Sequence, residues 1–86
     1  MKHIATASFW QCYDSLPREV QEQADKQFAL LRDNPRHPSL LFKRIRGVWS
    51  ARVNQDYRAL AYAESERYVW IWIGPHTAYE RMLKSQ

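Results

Sequence analysis

Glycine is scarce in this chain: Gly47 and Gly74 are the only two. A loop that cradles phosphates needs several glycines close together, so a nucleotide site of that kind is excluded. Cysteine is scarcer still. Cys12 stands alone, which rules out an internal disulfide framework, suits a reducing cytoplasm and reads as a small hydrophobe in an amphipathic stretch. His3, His37 and His76 are scattered, and no His or Cys pair has metal-ligand spacing, so neither a metal nor another cofactor is expected. No serine falls into a recognisable arrangement with a histidine and an acid. No apolar run approaches the roughly 20 residues that span a bilayer, and the amino-terminal stretch lacks the apolar centre of a secretory signal. A soluble, cytoplasmic protein is the expectation.

Aromatic residues are plentiful, with four tryptophans, five tyrosines and three phenylalanines among 86 residues. A chain this short suits one domain, residues 1–86, whose thin stability margin benefits from large buried rings. Charge is unevenly spread. Residues 36–58 hold six basic side chains and one acidic (net +5), whereas residues 1–35 are net −1 and residues 59–86 are neutral. Arg36, Lys43, Arg44, Arg46, Arg52 and Arg58 therefore concentrate the whole excess, as expected of a surface that meets nucleic acid or an acidic protein partner.

Lys2 to Ala5 is a short candidate edge strand, with His3 expected at the surface. Phe9, Cys12, Tyr13 and Leu16 recur at helical spacing, with Thr6 or Ser8 available as the cap. After Pro17, the residues Val20, Ala24, Gln27, Phe28 and Leu31 repeat the pattern, and the acid-first, base-last order predicts a helix ending near Asn34. The two helices should form an antiparallel hairpin. Pro35 and Pro38 hold the next loop extended. A strand is predicted over Leu40 to Arg46, then a turn at Gly47, then two strands folded about Asn54 to Asp56. Tyr68 to Ile73 alternates aromatic with aliphatic residues, which puts Val69, Ile71 and Ile73 on one sheet face and Tyr68, Trp70 and Trp72 on the other. Gly74-Pro75 should end that strand, and Tyr79, Met82 and Leu83 mark a short terminal helix. The result is an α+β architecture in which an N-terminal helical hairpin packs on an antiparallel sheet of three to four strands, followed by a short C-terminal helix.

Arginine is rarely placed in a half-buried strand without an anion to meet, which singles out Arg52 and Arg58. His76 and Tyr79 join them at the end of the last strand. Structural alternatives exist for each: ion pairing of the arginines with Asp56 or Glu64, helix capping by His76 and a core position for Tyr79.

The helical hairpin, the basic strand, and the segments Trp49-Ser50-Ala51-Arg52-Val53, Asp56-Tyr57-Arg58-Ala59-Leu60 and Ile73-Gly74-Pro75-His76-Thr77-Ala78-Tyr79 together resemble the RelE/ParE superfamily of bacterial toxin-antitoxin toxins. The resemblance covers essentially the whole chain. It implies a metal-free mRNA endoribonuclease acting on the ribosome, with Arg52, Arg58, His76 and Tyr79 as catalytic residues and Lys43, Arg44 and Arg46 binding RNA. It also implies a cognate antitoxin as partner and no small-molecule cofactor. Pro75 departs from the pattern, standing where the ribonucleases often carry a basic residue. The gyrase-inhibiting branch of the superfamily, and a member that only binds its antitoxin, remain the alternatives, because fold alone does not assign activity.

Overall fold

The computed structural model describes residues 2–84. Its elements run β1 (Lys2–Ala5), α1 (Ala7–Asp14), α2 (Arg18–Asp33), a 3-10 turn (Pro38–Leu40), β2 (Lys43–Ile45), β3 (Val48–Arg52), β4 (Tyr57–Glu64), β5 (Arg67–Pro75) and α3 (His76–Lys84). The five strands form one sheet in the order β1-β5-β4-β3-β2. It is one strand larger than the upper expectation and mixed: β1 lies parallel to β5, while the other pairings are antiparallel. Chain order explains the difference. Helices α1 and α2 carry the chain away from β1, so β1 can pair only with whatever later strand is left at the edge.

Local chemistry sets the helix ends. Thr6 accepts the backbone N–H of Phe9 through its hydroxyl and caps α1, and Pro17 precedes α2. The hairpin lies on one sheet face, where Val20, Leu31 and Leu40 pack against Ala51, Val53, Ala59, Ala61, Trp70 and Ile73. The opposite face carries Leu60 and Val69, buried along with Tyr79 of α3.

Two strand expectations need correction, and a third holds with a different role for its glycine. The pairing of β4 with β5 shifts between Leu60 and Ala61, which face Trp72 and Trp70 respectively, so Ile71 bulges out of register. Ile73 thereby joins Tyr68 and Trp70 on the hairpin side, leaving Val69 and Trp72 opposite; the strict alternation fails because a bulge adds one residue to one strand. The predicted strand over Leu40 to Arg46 shrinks to Lys43–Ile45, because Leu41 adopts a left-handed φ of 45° that no strand accommodates. Gly74-Pro75 does end β5, as its last two residues. Both residues remain paired, opposite Arg58 and Tyr57, and Pro75 is tolerated as the last residue of the strand. Gly74 is needed for space instead: a Cβ there would meet the Trp72 ring at 2.6 Å.

His3 also departs from expectation. It stacks on Tyr68 and Trp70 with ring centroids 5.5 and 6.1 Å away, and its Nδ1 accepts the Trp70 indole N–H at 3.1 Å.

Candidate functional site

The site starts from the turn between β3 and β4. Asn54 folds its side chain back so that Oδ1 accepts the N–H groups of Asp56 at 2.7 Å and Tyr57 at 2.9 Å, the side-chain mimic of a backbone turn. Its Nδ2 donates to Oε1 of Gln23 at 2.6 Å, tying the turn to α2. This turn sets a register in which Arg52 stands directly opposite Arg58, while Arg58 faces Gly74 on its other side. The two guanidinium groups thus share the sheet face that α3 covers.

Arg58 is held in place. Its Nη1 donates to the carbonyls of Asn54 at 2.6 Å and Tyr57 at 3.0 Å. Burial lowers its pKa, the like charge of Arg52 lowers it further, and Tyr79 and Asp56 push the other way. A guanidinium keeps its proton through such a shift, so the site carries two fixed positive charges. Neither Arg52 nor Arg58 forms an ion pair among the described residues; Glu64 pairs with Arg67 at 2.8 Å instead.

The terminal helix brings the remaining groups. The backbone N–H of His76, its first residue, donates to the carbonyl of Asp56 at 2.6 Å, which docks the positive end of α3 beside the turn. The His76 ring stacks on Tyr79 at 5.8 Å, and its Nε2 lies 3.3 Å from Oε1 of Glu80 one helical turn on. Tyr79 is only 8% exposed, and it lies close enough to Arg58 to act on its charge.

Arg52, Arg58, His76 and Tyr79 therefore come together, although they span 28 positions of sequence from first to last. The three residues expected to bind RNA do not share one surface. Lys43, opposite Ser50, lies on the same face as Arg52; Arg44, opposite Trp49, lies on the hairpin face; Arg46 donates to the carbonyl of Leu83 near the end of α3. Sequence reasoning missed Asn54, Asp56 and Glu80. An asparagine opening a turn and a histidine four residues before a glutamate in a helix are the signals that were available for two of them.

Comparison with known proteins gives the site its context. The model of the ParE-like toxin domain family matches residues 18–81. No curated protein sequence matches the chain. Among solved structures, the YoeB/ParE toxin from Agrobacterium tumefaciens superposes with a TM-score of 0.69 at 19% identity, covering 88% of this chain and 99% of the other. YafQ from Escherichia coli gives 0.73 at 13% identity over 91% and 96%. A chain of the RelBE2 toxin-antitoxin complex from Mycobacterium tuberculosis gives 0.63 at 25% identity over 87% and 90%.

Proposed function

This chain belongs to the ParE-like toxin domain family, and on that premise we propose that it is an endoribonuclease that cuts mRNA on the ribosome and is held in check by a cognate antitoxin. The observation that carries the reading is the Arg52–Arg58 pair. Like charges directly opposite across two strands destabilise a sheet, so the placement makes sense when an anion bridges them, and a phosphodiester is the anion that a basic segment of this kind would meet. In the reaction, the 2′-hydroxyl gives up its proton and attacks the adjacent phosphorus. The bond from phosphorus to the 5′-oxygen breaks, and that oxygen takes up a proton. Arg52 and Arg58 stabilise the charge that builds on the phosphate. His76, oriented by Glu80, is the imidazole at the site, a group suited to proton transfer near neutral pH. Tyr79 positions the His76 ring by stacking.

The shape of the site is in keeping with dependence on the ribosome. Arg52 and Arg58 lie at the end of two strands, opposite each other on the face away from the helical hairpin, and no enclosed groove surrounds both of them among the described residues. A strand of RNA would have to be positioned by something else, and positioning alone is worth a large part of a barrier, about 7 to 11 kcal/mol at its best.

A second reading rests on Tyr79. Its burial leaves one imidazole to serve two proton transfers, whereas a toxin that inhibits gyrase by binding needs neither. Mapping transcript ends by primer extension after brief expression separates the two. New 5′ ends within translated regions are expected; growth arrest with intact mRNA and a DNA-damage response would overturn the ribonuclease reading.

The antitoxin is proposed to cover Arg44, Arg46, Arg52 and Arg58. Two further superposing structures, toxin-antitoxin complexes of RelB and RelE from Methanococcus jannaschii and of RelBE from Escherichia coli, support a protein partner.

A further inference from the structure

On the hairpin side of the sheet a cleft of about 290 Å³ opens between α1, α2 and the strands, with Arg52 among its lining residues. Its origin is legible in the side chains. Ala24 on the helix and Ala51 and Ala59 on the sheet line it, leaving a gap where larger residues would have closed the core. Ile4, Trp10 and Phe28, three of the five large hydrophobic residues left exposed among the described residues, also line it. Exposed apolar groups that converge on one concavity, with a few polar groups beside them, mark a small-molecule site.

The polar groups are basic. A second, more open depression lined by Lys2, His3, Ile4, Phe28 and Arg32 shares His3, Ile4 and Phe28 with the cleft and so adjoins it. Arg32 lies over the Phe28 ring with its guanidinium carbon 5.2 Å from the centroid. Because Nδ1 of His3 accepts the Trp70 indole proton, the neutral ring carries its own proton on Nε2, a donor with no hydrogen-bond partner among the described residues. Asp25, the acid in the lining, already accepts the Tyr13 hydroxyl at 2.9 Å and would repel an anion. Gln27, also in the lining, already donates to the carbonyl of Arg52, which lines the cleft as well, at 2.9 Å; the end where the most cationic and donor groups converge is the one with Lys2, His3 and Arg32.

We infer that this cleft binds a small aromatic carboxylate, its ring among Phe9, Tyr13, Phe28 and Trp70 and its carboxylate held by His3 Nε2–H, Lys2 and Arg32. An apolar cavity of roughly 150 Å³ takes up benzene, so the larger volume here suits a ring carrying a short acid chain. The cleft shares Arg52 with the arginine pair, but the inference stands whether or not the protein cuts RNA.

The test uses the purified chain and three probes of one shape: 3-phenylpropionate, 3-phenylpropanol and 3-phenylpropylamine, titrated by calorimetry and by amide NMR. The acid should bind about tenfold more tightly than the alcohol, as one charge-assisted hydrogen bond would give, and the amine most weakly, with shift changes centred on His3, Phe28 and Trp70. Ala24→Phe should abolish binding of all three by filling the cleft. Arg32→Ala, at an exposed position that spares folding, should weaken the acid several-fold toward the level of the alcohol and leave the alcohol unchanged; undiminished acid binding by this variant would also overturn the inference. Equal binding of the three probes, no binding at millimolar concentration, or undiminished acid binding by a folded Ala24→Phe protein would each overturn the inference. Should Ala24→Phe fail to fold, the Arg32→Ala comparison decides alone.

Discussion

Two arginines facing each other across a strand pair, with no carboxylate between them, form an arrangement that folding by itself disfavours. Removing one should help the fold and harm the function. Arg52→Ala is expected to leave the melting temperature unchanged or raise it, by the equivalent of about 0.2 to 1 kcal/mol, while RNA cleavage falls by about 10²- to 10³-fold. A melting temperature well below wild type would show that Arg52 is a structural residue. Arg58 behaves differently because its Nη1 satisfies the carbonyls of Asn54 and Tyr57. Arg58→Ala should lose cleavage to a similar degree and also cost about 1 to 2 kcal/mol, the scale of hydrogen bonds from a charged donor, partly offset by relief of the repulsion. His3 contributes a pH effect. Burial, with nearby positive charge including Arg32, lowers its pKa in the folded chain below the ordinary 6.5. The unfolded chain then takes up the proton first, so the neutral-ring contribution is complete above about pH 6.5 and is lost as pH falls through the folded pKa. Denaturant midpoints measured from pH 8 down to 5 should decline, and His3→Phe should flatten that decline; an unchanged slope in the variant would reject the assignment.

At the scale of elements, the β3–β4 turn is the junction on which the site depends. Asn54 sets the turn, the turn sets the Arg52–Arg58 register, and the Asp56 carbonyl docks the first residue of α3. Asn54→Ala should therefore impair cleavage by about tenfold or more although Asn54 touches no substrate, and Asn54→Asp, which keeps the acceptor oxygen, should recover much of it. If both variants cleave like wild type, the turn is not what aligns the site. Gly74 is the second such junction, since it lies opposite Arg58 and under the Trp72 ring. Gly74→Ala would force that ring aside at a cost of about 1 to 3 kcal/mol, which thermal melting would register along with a changed Trp fluorescence. A melting curve matching wild type would mean that the ring has room to move.

For the whole molecule, the division of labour between sheet faces matters most. The hairpin face holds most of the core, and Trp70 within it is 5% exposed. Trp70→Ala should cost about 3 to 5 kcal/mol, enough to unfold much of a domain whose total margin is on the order of 5 to 15 kcal/mol. Circular dichroism at 37 °C checks this directly, and a cooperative transition near wild type would contradict it. The other face holds α3 and the basic site. Because the net charge of +4 comes from residues 36–58, association with an acidic antitoxin should slow steeply as salt rises, while the dissociation rate changes little. A salt-independent association rate would point to an interface built mainly on the apolar hairpin.

What the sequence determined by itself was local. The apolar spacings placed both hairpin helices and the terminal helix, the prolines and Gly47 marked the connections, and the run of basic residues marked the segment that holds the charge excess. Arg52, Arg58, His76 and Tyr79 could be picked out as residue types and through the family they resemble, because chemistry of that kind is written in single positions. Only the tertiary structure decided how they meet. The parallel β1, the bulge at Ile71 that moves Ile73 to the hairpin face, the Arg52–Arg58 opposition, the splitting of Lys43 from Arg44 across the sheet and the burial of Tyr79 all depend on strand register and sheet order. Register is a property of two segments at once, and a one-residue shift sends a side chain to the other face. No spacing within either segment can carry that information.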